Sequence, residues 1–505
     1  MEMAQERAIL MEETLDPEDW ESVRALGHQM LDDMLEYLRT VPDRPVWQPI
    51  PEDVKRRFRL PLPMDPQKLE EIYNEFSDFI LPYPLGNIHP RFWGWVVGTG
   101  TVSGMLAEML AAGMNSNLAG ADHIANYVEK QVVDWLIEML GFPATASGLL
   151  TSGCSAANLI GLTVARNTKA EYDLRREGIQ AAPQKMVLYT SQETHSSLQK
   201  AVELLGLGSN ALRLLLVNDN FQVDLDVLKE TIVQDRRHGY LPFCIIGTAG
   251  TTNTGAVDDL NALADICQQE DLWFHIDGAF GAWATLAPEA RNQVVGMERA
   301  DSLAVDLHKW IYLPYEIGAI LVRNEKDHRN AFSLTPAYLT PGEDERGMTG
   351  GTLPWFSDYG FQLSRGFRAL KAWMAFKQYG SRKYGRLIQQ NIDQAKYLAA
   401  LIDASPELEL AAPVPLNVVC FRYVKSGLND NELDKLNEQI LAELQEQGIA
   451  VPSSTTINGK YVLHVAHTNH RSRREDFDIL VREVRRIGKE LTQTSKTTTQ
   501  LSSRR

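Results

Sequence analysis

The chain predicts an α/β fold: a mainly parallel sheet with helices on both faces, an N-terminal helical segment, and a small C-terminal α+β domain. Three observations carry this. From Gly148 onward, short apolar runs alternate with helical patterns, as in parallel strands joined by helical crossovers. Before that, residues 1–85 show helical periodicity cut by prolines. After about residue 380, two strand-like runs, Val418–Tyr423 and Tyr461–Ala466, alternate with helices of about 430–447 and 473–491.

The totals fit such an assembly. At 505 residues the chain has room for roughly three domains. Its 44% hydrophobic and 23% charged residues are those of a soluble globular protein. A net charge of -16 argues against nucleic acid or an anionic membrane as partner. Cys154, Cys244, Cys267 and Cys420 are widely spaced, with no CxxC pair and no metal-ligand spacing, and read as reduced thiols of a cytoplasmic protein. The acidic start, MEMAQERAILMEETLDPEDW, lacks the pattern of a signal peptide. The longest apolar stretch, Val96 to Met114, is broken by Glu108 and does not predict a membrane span.

Taken in order, Asp16-Pro17-Glu18 starts a helix whose apolar positions Val23, Leu26, Met30, Met34 and Leu38 recur at helical spacing. Prolines 42, 45, 49 and 51 end it, and a second helix runs from about Pro66 to Phe79. Residues 1–85 have too little apolar material for a core of their own, so they are expected to pack on another domain or subunit. The aromatic cluster closing LPYPLGNIHPRFWGW (81–95) is either a binding wall or a packed domain junction. Helices of about 103–114 and 123–140 follow.

The expected strands are Leu149–Thr151, Met186–Ser191, Leu212–Val217, Phe243–Ala249, Trp273–Asp277, Ser302–Asp306 and Ile317–Val322. Residues 333–357 form a Pro/Gly-rich loop without periodicity, of the length that serves as a lid or is disordered. A helix of about 358–379 leads out of a large domain of 86–380 into the small domain of 381–491. The Thr/Ser-rich tail, 492–505, is expected to be disordered.

Chemistry gathers at the strand ends. Asp306-Leu-His-Lys309-Trp closes one apolar strand, and a second apolar run returns shortly after. Between them Lys309 is expected to be desolvated, which lowers a lysine pKa and yields a Schiff-base nucleophile; a lysine snorkelling from a strand end is the other reading. In LLTSGCSAAN, Gly153, Cys154 and Ser155 bring backbone N–H groups and a hydroxyl to a helix start, an anion site or only a capped turn. The GxGxxG and Walker patterns are absent.

Asp277, in FHIDGAFG, ends a strand where a carboxylate must find a cation or donors. A pyridinium would serve, with Ala279 small enough to lie against a flat ring; capping the next helix is the alternative. His195 follows another strand and either stacks on a planar ligand or sits at a helix start. Thr252, in GTAGTT, offers a hydroxyl. An anion cradle, a carboxylate, an imidazole and a lysine on one sheet describe pyridoxal 5'-phosphate.

The motifs HIDGAF, DLHKW, the histidine of ETHSS, HPRFWGW and PAYL resemble those of the group II pyridoxal-phosphate-dependent amino acid decarboxylases, which include the aromatic L-amino acid decarboxylases. The resemblance runs from about residue 16 to 490, and Thr252, Asp258, Asp277, Lys309 and Tyr338 keep the family spacing. It implies a PLP-dependent transferase-like fold of the aspartate aminotransferase type. It also implies that Lys309 carries the cofactor, Asp277 pairs its ring nitrogen and His195 stacks on the ring. The 153–155 turn and His308 would lie near the phosphate, and Trp95 to Gly98 would line the substrate side. Tyr338, on the mobile loop, would deliver a proton to Cα. A homodimer with shared sites follows from the same likeness.

The implied reaction is decarboxylation of an L-amino acid to its amine. The aromatic wall favours an aromatic substrate, although aromatics also line aliphatic pockets. An aldehyde synthase, an aminotransferase or lyase, and a catalytically silent relative share much of this pattern. Arg365 matches a basic family position whose role stays open. One departure is plain: animal members read Asn-Pro-His-Lys where this chain has Asp306-Leu-His-Lys. A carboxylate repels a phosphate dianion, so phosphate contact is not carried over to Asp306.

Overall fold

The structure, a computed structural model, describes residues 14–334, 347–348 and 355–502. Tyr338 and most of the 333–357 loop lie outside the described residues. The chain divides into two compact units, one of residues up to Arg44 with Ile50–Pro84, the other of Pro45–Pro49 with Leu85 onward.

In the first unit, α1 (Trp20–Arg39) opens where Asp19 accepts the Glu21 and Ser22 N–H groups. α2 (Glu52–Arg57) and α3 (Leu69–Phe79) follow, and the Tyr73 hydroxyl on α3 donates to Asp33 on α1 at 2.6 Å. Phe58, Leu60, Leu62 and Met64 are exposed.

The second unit opens with β1 (Phe92–Trp93), α4 (Val102–Met114) and α5 (Ile124–Met139). Then come β2 (Ser147–Thr151), α6 (Cys154–Lys169), α7 (Leu174–Glu177), β3 (Met186–Ser191), α8 (Ser196–Leu204), β4 (Leu212–Leu215) and α9 (Leu225–Arg237). β5 (Leu241–Thr248), α10 (Leu260–Glu270), β6 (Trp273–Asp277), β7 (Ser302–Asp306), β8 (Gly318–Val322) and α11 (Glu325–Phe332) complete the large layered part.

These strands form one sheet in the order β2-β8-β7-β6-β5-β3-β4. From β7 to β4 all neighbours are parallel, whereas β8 is antiparallel to both β7 and β2. The reversal has a simple cause. Residues 307–317 are fewer than the dozen or so that a parallel crossover needs, so the chain turns straight back. β2, β3, β6, β7 and β8 are buried at every position, as their near-continuous apolar runs require.

α12 (Ala369–Asp403) then leads to β9 (Leu408–Leu410), β10 (Val418–Tyr423), α13 (Asp430–Glu446), β11 (Val451–Ile457), β12 (Lys460–Ala466) and α14 (Arg474–Ser502). Three differences from the sequence reading appear here. The helix expected over 358–379 begins only at Ala369, because Gly360 and Gly366 weaken helix in the preceding stretch, and it continues past a non-helical Gly380 to Asp403. α14 runs beyond residue 491 to Ser502, with no glycine or proline after Gly488 to stop it. β1 joins the small sheet, ordered β1-β11-β12-β10-β9, with Phe92 opposite Val451 and Trp93 opposite Pro452. HPRFWGW is thus a packed junction, built into the small sheet's edge. Among the described residues no helix is long and apolar enough to cross a membrane.

Candidate active site

The carboxyl ends of the parallel strands border a cavity of about 400 Å³, where ligands sit in open α/β sheets. The β2–α6 turn contributes Gly153, Cys154 and Ser155, and the residue before α8 contributes His195. Thr252 enters after β5, Asp277 and Ala279 at the end of β6, and His308 and Lys309 just beyond β7. A larger groove of about 760 Å³ on the small module, lined by Arg485, Arg486 and Lys489, contains none of these groups. The chemistry selects the smaller space.

Asp277 is 4% exposed and accepts from three donors. Asn158 Nδ2 lies 2.9 Å from Oδ2, the Ala279 N–H 3.1 Å from Oδ1, and the Cys154 thiol 3.4 Å from Oδ1. Among the described residues, these hydrogen-bond partners are all neutral. Burying a carboxylate with no cation hydrogen-bonded to it is costly, and a cationic ligand group in the cavity would offset that cost. Just across the wall, Thr248 Oγ1 is buried without a hydrogen-bond partner among the described residues, a further polar atom that a ligand would satisfy.

Asp306 is equally buried and differently held. Its Oδ2 lies 3.0 Å from Lys309 Nζ and 3.6 Å from His308 Nε2, and its Oδ1 accepts the Cys154 N–H at 2.6 Å. This corrects two expectations. Burial pulls the Lys309 pKa down, but the neighbouring acidic groups, Asp306 first with Cys154 and Asp277 behind it, outweigh it, and the ammonium is held above the usual lysine range. The Cys154 N–H, expected to meet a phosphate, is committed to Asp306. Gly153 itself carries no side chain to cap α6, so the aspartate from β7 does it.

The remaining residues separate clearly. His195 lines the cavity and is also the cap of α8, its Nδ1 accepting the Ser197 N–H at 3.2 Å; burial lowers its pKa. The helix-start reading of His195 is thus the placement seen, with the residue at the cavity wall. His308 Nδ1 accepts the Ile317 N–H at 3.2 Å, and its ring lies 4.4 Å from that of Tyr315. The Thr252 carbonyl accepts from His464 Nε2 at 2.8 Å, tying the cavity wall to β12. Asp258 is a buried brace, accepting the Val223 and Thr248 N–H groups at 2.8 Å each.

Trp95 and Gly98 are not among the cavity-lining residues. Trp95 is 54% exposed, and its N–H donates to Ser453 Oγ at 2.8 Å. Gly98 packs so closely on the His308 carbonyl that a Cβ would collide with it. Arg365, left open by the sequence, is buried in an ion pair with Glu129 and donates to the Leu118 and Leu150 carbonyls at 2.9 and 2.7 Å. It braces β2 behind the cavity.

Sequence reasoning missed Asn158, His275, Thr248 and Tyr315. The first two carried a signal. Asn158 stands four residues after Cys154 on one helix face, and His275 stands two before Asp277 on one strand face.

Known proteins fit this geometry. The family profile "Pyridoxal-dependent decarboxylase conserved domain" matches residues 51–424. The chain belongs to this family. It is therefore a pyridoxal-phosphate-dependent carboxy-lyase of amino acid metabolism with the type I transferase fold.

An aromatic-L-amino-acid decarboxylase of Bacillus atrophaeus is 33% identical, with 93% of this chain and 96% of the relative covered. A phenylacetaldehyde synthase of Arabidopsis thaliana is 30% identical over 90% of this chain and 93% of its own. The crystal structure of Catharanthus roseus tryptophan decarboxylase with L-tryptophan superposes with a TM-score of 0.83 at 25% identity, covering 94% of this chain and 100% of that one. The strand-end carboxylate, the lysine and the small Ala279 suit the pyridoxal phosphate this decarboxylase uses.

Proposed function

We propose that this decarboxylase removes the α-carboxylate of an aromatic L-amino acid, releasing carbon dioxide and the amine. The observation that carries the reading is Asp277: a buried strand-end carboxylate whose hydrogen-bond partners among the described residues are all neutral, in one cavity with Lys309. Relatives named aromatic-L-amino-acid, tryptophan and tyrosine decarboxylases support the aromatic class.

Pyridoxal phosphate, when bound, supplies an electron sink for the pair left at Cα as the carboxylate departs. The chain does the rest. Lys309 Nζ would hold the cofactor covalently, and Asp277 would keep the ring nitrogen protonated. His195 would lie against the ring. Ser155 and His308 would face the phosphate end, with Asp306 screened from it by its own pair to Lys309. One C–C bond breaks and one proton must reach Cα; Tyr338, beyond the described residues, would deliver it. The exposed apolar side chains of the first unit, with the family likeness, support a homodimer, and four buried free cysteines support a reducing, cytoplasmic setting.

The test is a panel of L-amino acids with carbon dioxide and organic product both measured. Equal amounts of carbon dioxide and amine from an aromatic substrate are expected. Aldehyde and ammonia in place of amine would make the chain an aldehyde synthase, the activity one relative's name carries. A keto acid without carbon dioxide would refute the decarboxylase reading.

A further inference from the structure

Behind Asp277 runs a hydrogen-bonded chain that none of the site chemistry above uses. Trp273, His275 and Asp277 alternate along β6 and so share one face. Trp273 Nε1 lies 2.8 Å from Ser302 Oγ, and Ser302 Oγ lies 2.7 Å from His275 Nδ1. His275 Nε2 lies 2.9 Å from Asn158 Oδ1, and Asn158 Nδ2 lies 2.9 Å from Asp277 Oδ2.

The carboxylate end fixes the direction of the hydrogens. A carboxylate can only accept, so Asn158 turns its NH₂ to Asp277 and its Oδ1 to His275. His275 therefore donates from Nε2, and the Nδ1 of the neutral ring accepts from Ser302 Oγ, which in turn accepts the Trp273 indole N–H. A flipped amide would set a carbonyl oxygen against the carboxylate.

Packing shows that the histidine has been given room. On α6, Cys154, Asn158 and Gly161 recur at i, i+4 and i+7 and line one face. An interior glycine weakens a helix, yet a Cβ at Gly161 would lie 2.7 Å from His275 Cε1 and 3.0 Å from Nδ1. The helix gives up a side chain where the ring needs the space. Burial holds His275 neutral, its pKa pushed down to about 4.

We propose that the Trp273–Ser302–His275–Asn158 chain is a positioning device for Asp277, presenting its carboxylate, singly oriented, to the cofactor's ring nitrogen. His275 and Asn158 are positioning residues, not catalytic ones. The inference rests on the functional reading above, and it adds a determinant of how strongly the ring nitrogen holds its proton.

The test uses the full-length enzyme reconstituted with pyridoxal phosphate labelled with ¹⁵N in the ring, whose NMR shift reports the nitrogen's protonation across pH. The variants are His275→Leu, which removes the donor to Asn158, and Asn158→Ala, which removes the donor to Asp277. Both should bind cofactor in parental amount while the ring nitrogen loses its proton at lower pH. We expect kcat to fall about tenfold, the low end of what outer hydrogen-bond partners cost, with KM unchanged. His275→Gln, whose amide can donate to Asn158 Oδ1, should restore both readouts. A folded, cofactor-loaded His275→Leu with parental ¹⁵N titration and kcat overturns the proposal. If that variant fails to fold, parental values in Asn158→Ala overturn it equally. A parent enzyme that takes up no cofactor overturns the functional reading, and this inference with it.

Discussion

Asp277 and Asp306 end adjacent parallel strands, are 4% and 2% exposed, and border the same cavity, yet they are partnered in opposite ways. Asp306 has a cation from its own chain, Lys309 at 3.0 Å, and caps α6 through the Cys154 N–H. Asp277 has an amide, a backbone N–H and a thiol. Burying a carboxylate demands compensation, and the two satisfy that demand by different routes. Asp306 has its cation within hydrogen-bonding distance in the folded chain. Asp277 makes no hydrogen bond to a cation among the described residues, which is why we propose it as the cofactor's partner.

Each substitution below tests one side of that contrast. The largest effect is expected from Lys309→Ala, which removes the proposed covalent anchor and leaves Asp306 without its cation. Turnover should be negligible, and borohydride reduction followed by protein mass measurement should find no attached cofactor. Tyr338→Phe should leave cofactor loading intact while amine formation falls about a hundred- to ten-thousandfold, the usual cost of losing a positioned acid. Amine assay beside bound-cofactor absorbance checks this.

Asp277→Asn keeps size and hydrogen-bonding reach but removes the charge. Activity should drop at least about a hundredfold, some 2.7 kcal/mol on the barrier, with cofactor still attached. Near-parental turnover would mean that Asp277, like Asp306, is structural. Asp306→Asn should do the reverse. An amide oxygen can still accept the Cys154 N–H, but Lys309 loses the carboxylate that raises its pKa. The reactive neutral amine then grows about tenfold for each unit the pKa falls, so cofactor uptake at neutral pH should speed up in stopped-flow absorbance. Unchanged uptake would separate Asp306 from the lysine's titration.

The contrast was half legible in the sequence. The apolar runs ending in Asp277 and Asp306 have the bounds the structure gives them, because a strand buried on both faces must be continuously apolar. Asp277 and Lys309 each have an ordinary structural explanation alone; they could be singled out because an anion cradle, a carboxylate, an imidazole and a lysine fall together at the strand ends of one sheet. The partners could not. That Asp306 neutralises Lys309 depends on a tight turn folding three residues back on themselves, and that Asn158 reaches Asp277 depends on α6 crossing β6 at one height. Neither is encoded in local periodicity. Trp95 misled for a related reason: an aromatic cluster after a linker looks alike whether it walls a pocket or extends a sheet edge, and only the pairing of β1 with β11 decides.

A smaller effect concerns histidines whose titration is set mainly by burial. Burial pushes His275 and His470 down to about 4 and His328 and His467 to about 3. Unfolded histidine titrates near pH 6.5. As pH falls below about 6.5, the unfolded chain gains protons that the folded chain does not, so stability declines toward about pH 4. Asp258, raised to about 6 by burial, works in the opposite direction over part of that range, as do Asp301, Asp327 and Asp476, also raised by burial. Burial lowers His195, His308 and His464 as well, and these seven histidines against four carboxylates predict a net fall in Tm from about pH 6.5 to about 4, which calorimetry would show. A flat Tm would mean that these rings gain protons in the folded state.

Where the cofactor attaches, and what Asp277 does once it is there, can be measured together. Borohydride reduction of the loaded parent and of Asp277→Asn, followed by peptide mass mapping, measures the first while amine release measures the second. The expected result is a pyridoxyl group on Lys309 in both proteins, with turnover at least about a hundredfold lower in Asp277→Asn. A pyridoxyl group on any other lysine, or equal turnover in the two proteins, would contradict it.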